Sequence, residues 1–237
     1  MLSNILKTTG LFRTGSVMAQ QVPDLADLDQ GLLDKAVVRL LLGRLGSSGS
    51  PLRNLAISVL RLTAKAIHEY KLGRKSLIQH KSNPQILLAF FTAQGHFENC
   101  LQSLHRCLLF VEALRRRGPR QPSGPQALPK ANQVEVLSRG VSVRLNAVRD
   151  SIEHMDERLR VGTIEVGRPI ALHPTDGELQ LEGTNITYAE VTRWLRQLYE
   201  IADAIAKVGF SGTPSNTAPE ATPPDNKRRR GRSARRR

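Results

Sequence analysis

The sequence has few cysteines, and their spacing limits what they do. Cys100 and Cys107 are seven positions apart, which on one helix is roughly 10 Å, too far for a mutual disulfide. They are therefore predicted to be small core residues in a reducing compartment, which favours the cytoplasm. No Cys/His cluster has the spacing of zinc ligands, so the sequence predicts neither a metal site nor a cofactor.

Aromatic residues and long apolar runs are also scarce. Aromatics make up 4% of a chain that is 40% apolar, so the core is predicted to be mostly Leu, Val, Ile and Ala. No apolar run approaches the roughly 18 residues that span a bilayer, so no membrane partner is predicted. Residues 1–23 carry Lys7 and Arg13 but no acid, which is typical of a weak organellar presequence or of an irregular, flexible start. The flexible start is favoured.

Positive charge is abundant, and much of it lies at the C-terminus. The net charge is +14, and residues 227–237 supply eight basic residues and no acid, which leaves +6 on the remainder. This balance favours contact with phosphate backbones or anionic surfaces. Residues 211–237 are predicted to be disordered, serving as a nucleic-acid tether, an address signal or a solubilising end. The candidate nucleic-acid-binding residues of this tail are Lys227, Arg228, Arg229, Arg230, Arg232, Arg235, Arg236 and Arg237.

Apolar residues at steps of three and four predict a mainly helical chain. Helices are predicted over residues 25–45, from Pro51 to about Gly73, and from Asn83-Pro84 to Arg116. Four prolines in residues 118–129 predict an extended connection between two long antiparallel helices. A further long helix is predicted over residues 130–161. Its apolar stripe consists of Val134, Leu137, Val141, Leu145, Val148, Ile152, Met155 and Leu159.

The pattern changes after residue 161. Alternating apolar residues on either side of Pro174-Thr175-Asp176-Gly177 predict a β-hairpin at about residues 169–182. Thr187 and Glu190 form a capping box that begins a last helix, where Trp194 is predicted to pack the hairpin against the bundle. The predicted fold is an up-and-down bundle of four to five helices over residues 24–210, with this hairpin before the last helix.

The helix predicted over residues 130–161 carries a short polar motif. Arg149 and His154 flank the apolar stripe, while Arg149–Glu153 and Asp150–His154 are four apart and can touch. An arginine, a polar residue, three further residues and a histidine in an amphipathic helix resemble the Arg-x4-6-His signature of the HEPN family. Those proteins are small helical bundles, many of them metal-independent ribonucleases, and the resemblance covers roughly residues 25–208. The same pairs are also ordinary pairs of a helix surface.

The residue types of the motif suit metal-independent RNA cleavage. Histidine transfers protons near neutral pH, and the arginine fork binds phosphate oxygens in pairs. The candidate catalytic residues are Arg149, Asp150 and His154, with Asp150 orienting the imidazole. Residues five apart on a helix point about 140° from each other, so one copy is a poor single centre. The resemblance implies a homodimer with two motifs at one cleft and 2′,3′-cyclic phosphate and 5′-hydroxyl products.

Other polar residues are weaker candidates. Arg139 and Arg144 extend the basic face of the motif helix and are candidates to guide RNA, although a solvated face is the commoner explanation. His96 and His105 are predicted to be satisfied interior or boundary histidines. The leading prediction is an HEPN-type RNA endonuclease, a toxin or phage-defence effector with an antitoxin or other protein partner. The alternatives are a non-catalytic HEPN-like bundle that binds RNA or protein, and a purely structural helical protein.

Overall fold

A computed structural model describes residues 22–28, 30–42, 51–117, 128–129, 133–162, 171–181 and 183–208. Its α-helices are α1 (Gln30–Leu42), α2 (Pro51–Ser82), α3 (Leu87–Arg117), α4 (Arg139–Glu153), α5 (Met155–Val161) and α6 (Tyr188–Val208), with a 3-10 turn at Glu135–Leu137. Its strands are β1 (His173–Pro174), β2 (Glu178–Leu181) and β3 (Thr184–Thr187). The predicted mainly helical bundle with a small β element before the last helix is confirmed.

Helices α2 and α3 form a long antiparallel pair at the centre of the core. Their contacts run in reverse order along the chain: Thr63 with Cys107, Gly73 with Phe97, and His80 with Phe90. The predicted end of α2 near Gly73 is wrong, because the helix continues to Ser82. A Cβ atom at position 73 would lie 3.1 Å from the Phe97 ring. Glycine at this position therefore allows α2 and α3 to pack closely, and it does not end the helix.

Both cysteines lie in the interface of α3 with its neighbours, as predicted for small core residues. The Cys107 sulfur is 3.3 Å from the Thr63 hydroxyl and 3.6 Å from the Val59 carbonyl oxygen. Burial raises the pKa of the Cys107 thiol to about 12, and it also raises the pKa of Cys100. Two buried, protonated thiols behave as apolar residues of the core.

Helix α6 begins as the capping box predicts. The Thr187 backbone N–H donates to Glu190 Oε2 at 2.9 Å, and the Glu190 N–H donates to Thr187 Oγ1 at 3.2 Å. These bonds satisfy two backbone donors that a helix start otherwise leaves unpaired. The apolar face of α6 is buried, and it consists of Val191, Trp194, Leu195, Leu198, Ile201 and Ile205.

The β element has one strand more than the predicted hairpin. Strands β1 and β2 pair antiparallel, with Pro174 opposite Leu179, and β3 adds a third antiparallel strand with Ile186 opposite Leu179. Gly183, at φ +83°, lies in the short connection between β2 and β3, where a backbone with positive φ favours glycine. Leu179, Leu181 and Ile186 are buried in the same core as Trp194, so the sheet closes one side of the bundle.

Two helices begin later in the chain than predicted. Helix α1 begins at Gln30 rather than at residue 25, although Leu25 and Leu28 are buried in the turn that precedes it. Helix α3 begins at Leu87, because Asn83 and Pro84 form a turn closed by the Ile86 N–H donating to the Asn83 carbonyl. The predictions for residues 1–21, 118–127 and 211–237 lie outside the described residues.

Candidate functional site

Helix α4 carries the motif, and one side of this helix is packed into the core. Ser138 caps it, with its hydroxyl accepting the Val141 N–H at 3.3 Å, and Val141, Leu145 and Val148 are buried. The continuous helix predicted over residues 130–161 is wrong. The chain makes a 3-10 turn before Ser138 and a second interruption at His154.

The interruption places His154 at the C-cap of α4. Its backbone has φ −102° and ψ 10°, although its N–H still donates to the Asp150 carbonyl at 3.0 Å. Helix α5 then begins at Met155. The His154 side chain is 59% exposed, so it fills no part of the core and is open to a ligand.

Arg149 is held by two carboxylates of its own helix. Its Nη2 lies 3.1 Å from Asp150 Oδ1, and its Nε donates to Glu153 Oε2 at 3.0 Å, which confirms the expected Arg149–Glu153 pair. The expected side-chain contact of Asp150 with His154 is not formed. His154 Nδ1 instead lies 3.5 Å from Glu157 Oε2, one turn further along. The structure therefore gives Asp150 no role in orienting the histidine.

Arg144, a candidate RNA contact, lies in a different environment. Its Nη1 donates to Glu190 Oε1 at 2.7 Å, its Nη2 donates to the Asn185 carbonyl at 2.5 Å, and its guanidinium lies 5.5 Å from the centre of the Trp194 ring. The hydrogen bond from Arg144 lowers the pKa of Glu190 to about 2. Arg144 thus joins α4 to β3 and α6. Arg139, the first residue of α4, is exposed.

His105 is the polar residue that sequence reasoning misjudged. It is interior, at 2% exposure, but neither ring nitrogen has a hydrogen bond of normal geometry in the described structure. An unsatisfied buried polar group costs about 1–3 kcal/mol, so its presence needs a reason. It occupies the apolar stripe of α3 with Leu101, Leu104 and Leu108, and a histidine at such a position was the available signal.

The residues that shift the pKa of His105 lie on α4. Burial lowers its pKa, the side chain of Asn146 opposes that effect, and Arg149 lowers the pKa further. Asp150 and Glu153 act in the opposite direction. Arg149 is therefore a partly exposed arginine held by two carboxylates, and the buried imidazole of His105 lies on the neighbouring helix α3.

The other interior histidines have partners. His96 Nδ1 lies 2.7 Å from Glu69 Oε2, which confirms the prediction of a satisfied boundary histidine. His80 Nδ1 lies 3.2 Å from the Ile86 carbonyl oxygen. Burial lowers the pKa of His173, whose ring packs 5.3 Å from that of Phe90. His96 joins α3 to α2, His80 bonds to the turn between them, and His173 packs β1 against α3. His105 is the distinct case.

Among the residues that the structure describes, no group of three or more His, Cys, Asp or Glu side chains is placed to hold a metal ion. Within the same ranges, every helix is too short or too polar to cross a membrane. The basic residues of the tail, from Lys227 to Arg237, lie outside them. No protein-family model, curated protein or solved structure significantly matches this chain.

Proposed function

We propose that the protein is a metal-independent RNA endonuclease of the HEPN type, with Arg149 and His154 at its centre. The observation that carries the proposal is their common location at the exposed C-terminal end of α4. Val141, Leu145 and Val148 fill the core beneath them, so neither polar side chain is needed for packing. The arginine binds phosphate oxygens. The histidine either accepts the proton of the 2′-hydroxyl or, in its protonated form, donates a proton to the leaving 5′-oxygen.

An RNA phosphate that binds Arg149 would have to displace the ion pairs that Arg149 already makes. A phosphate must compete with Asp150 and Glu153 for the guanidinium, which is 36% exposed and therefore reachable. In exchange, the arginine fork gains paired, charge-assisted bonds to phosphate oxygens. The Asp150 carboxylate makes no hydrogen bond with the His154 ring, so in this proposal it regulates access to Arg149 rather than orienting the imidazole.

The wider proposal includes a homodimer, which brings Arg149 of one copy near His154 of the other. It also includes a cytoplasmic location, supported by the two buried free thiols. A role as a toxin or phage-defence effector, restrained by an antitoxin or other protein, follows from the HEPN resemblance alone. Arg139 and the arginine-rich tail are proposed to add nonspecific phosphate contacts.

The same site supports a second candidate, a non-catalytic bundle that binds RNA or protein. The observation favouring it is that each motif side chain already has a local partner: Arg149 pairs with Asp150 and Glu153, and His154 lies near Glu157. Such pairs are common on helix surfaces and each contributes only a few tenths of a kcal/mol, about 0.3–0.5. Cleavage itself is therefore the property that separates the two candidates.

The test is incubation of purified protein with RNA in EDTA. We expect wild-type protein to release fragments with 2′,3′-cyclic phosphate and 5′-hydroxyl ends, and Arg149→Ala and His154→Ala each to lose this activity at wild-type helical content. Matched controls are Arg160→Ala and His68→Ala, which alter exposed residues elsewhere. Equal cleavage by the two motif variants and the wild type would reject the assignment. RNA binding without cleavage by all proteins would support the second candidate.

A further inference from the structure

Helix α2 carries a large excess of positive charge. Its 32 residues include seven Lys or Arg and one acid, Glu69, so its formal charge is +6. Glu69 does not offset this charge at the surface, because its side chain is 14% exposed and its Oε2 lies 2.7 Å from His96 Nδ1. The solvent-facing side of α2 therefore presents positive charge alone.

Three cations of α2 hold neighbouring segments of the chain. Lys71 Nζ donates to the Leu28 carbonyl at 3.3 Å, and Lys81 Nζ lies 3.1 Å from Asp176 Oδ1. Arg74 Nε donates at 2.9 Å to a backbone carbonyl of the segment before α1. These contacts give Lys71, Arg74 and Lys81 structural roles.

Three other cations, Arg61, Lys65 and Lys75, are exposed and have no such role. Among the residues that the structure describes, none of the three forms an ion pair, although most exposed arginines elsewhere do. At 100° per residue they lie within about 80° of one another around the helix, and they extend over about 21 Å along it. We refer to these three residues as the α2 ridge.

The surroundings of the α2 ridge favour a phosphate backbone over a lipid or protein partner. Helices that bind lipid insert apolar side chains, and protein interfaces have an apolar, aromatic core. In the described chain, none of the large apolar residues that are exposed belongs to α2. Tyr70, the one Phe, Tyr or Trp of this helix, is buried, so α2 has no such ring to stack on unpaired bases. A duplex, with its phosphates outside and its bases stacked inside, matches a surface of charge alone.

We propose that the α2 ridge binds the phosphate backbone of a nucleic-acid duplex. Each cation of the ridge neutralises phosphate charge and releases counter-ions, so this binding is independent of base sequence and is weakened by salt. The ridge lies on a different helix from Arg149 and His154. It is therefore a second phosphate-binding surface, and it does not depend on cleavage by the motif.

The test compares matched charge variants of the full chain. The ridge variant carries Arg61→Gln, Lys65→Gln and Lys75→Gln. The control variant removes the same charge from exposed residues of other helices, with Arg116→Gln, Arg160→Gln and Lys207→Gln. The probe is an RNA duplex with fully 2′-O-methylated strands, which lacks the hydroxyl that attacks the phosphate. Its affinity is measured over a range of salt concentrations.

We expect the ridge variant to bind the duplex more weakly than wild type. Its slope of log affinity against log salt should be shallower by about 2–3, at about 0.9 for each lost phosphate contact. The control variant should keep the wild-type slope, and so should a variant that keeps the charge, with Arg61→Lys, Lys65→Arg and Lys75→Arg. Because glutamine is a good helix former, the ridge variant should melt like the wild type. Equal slopes for the ridge and control variants would overturn the proposal.

Two further measurements identify the partner. With vesicles of phosphatidylserine and phosphatidylcholine in place of the duplex, a loss of binding in the ridge variant beside unchanged duplex binding would overturn the proposal in favour of a lipid surface. A DNA duplex of the same sequence shows whether the ridge distinguishes the two backbones, and a ridge-dependent slope with either duplex supports the proposal. A protein that shows this slope but cleaves no RNA in EDTA would retain the α2 ridge and reject the proposed function.

Discussion

Arg144 and Glu190 join α4 to the start of α6, with Arg144 Nη1 2.7 Å from Glu190 Oε1. Glu190 also accepts the backbone N–H and the hydroxyl of Thr187, both at 2.9 Å. The Glu190 carboxylate therefore caps α6 and also binds α4 through Arg144. The pair therefore holds the motif helix against the start of α6.

Substitution of Arg144 should affect stability more than RNA binding. We expect Arg144→Ala to lower the free energy of unfolding by about 1–2 kcal/mol, because it removes bonds to Glu190 and Asn185 and the contact with Trp194. Arg139→Ala, an exposed residue of the same helix, should leave stability within about 0.5 kcal/mol. Urea unfolding of both variants is the measurement, and equal losses would contradict the assignment.

Acid should weaken this junction. The hydrogen bond from Arg144 lowers the folded-state pKa of Glu190 from 4.5 to about 2, so its ionised form is favoured by folding. The stabilisation is complete above pH 4.5 and is lost as pH falls toward 2. Melting temperatures over this range should therefore fall less steeply in Glu190→Gln than in wild type. Parallel curves would show that Glu190 carries no such linkage.

Two glycines of the central helices should respond oppositely to alanine. Gly73→Ala places a Cβ 3.1 Å from the Phe97 ring, and Phe97 cannot easily move because Tyr70 and Tyr188 pack against it. We expect a loss of about 1–2 kcal/mol despite better helix propensity. Gly95→Ala meets nothing within 4 Å and should gain about 0.5–1 kcal/mol. Thermal melts of both variants test the contrast.

The separation of Arg149 and His154 on one helix predicts a homodimer with the α4 helices near its axis. Light scattering at micromolar concentration should give twice the mass of one chain. Mixed dimers of Arg149→Ala and His154→Ala should recover part of the activity, because one composite centre would keep both residues. A fully active monomer would refute this arrangement.

Deletion of residues 212–237 should leave the melting temperature unchanged and weaken RNA binding chiefly at low salt. The eight cationic side chains of residues 227–237 release counter-ions when they meet phosphates, so their contribution falls as salt rises. Affinity measured against salt concentration should have a shallower slope for the truncated protein. Equal slopes would show that the tail does not touch RNA, and a large drop in melting temperature would contradict its predicted disorder.

The helices were predictable where a strong local signal and the burial pattern agree. The Thr187–Glu190 capping box and the apolar spacing after it correctly define α6. Ile186 is the one buried residue of β3, so its strand shows no alternating apolar pattern and was missed. The Glu182-Gly183 pair was the available turn signal. The predicted end of α2 at Gly73 was wrong, because the sequence does not distinguish a glycine required for packing from a glycine that ends a helix.

The site was less predictable than the fold, because local spacing does not determine which partner a side chain chooses. The four-residue spacing correctly predicts the Arg149–Glu153 pair, but the same spacing suggested an Asp150–His154 contact that the structure lacks. Asp150 instead contacts Arg149 beside it. The position of His105 relative to α4 depends on tertiary packing, which cannot be predicted from the residue spacing within α3.

The buried thiols of α3 can be used to measure how often the contact between α2 and α3 opens. Cys107 touches Thr63 and the Val59 carbonyl in the interface with α2, and its pKa of about 12 leaves almost no thiolate at neutral pH. An alkylating reagent can therefore modify Cys107 only after the two helices part. The rate of its labelling in the wild-type chain measures how often α2 and α3 separate, and bound RNA should leave that rate unchanged unless it also tightens this pair.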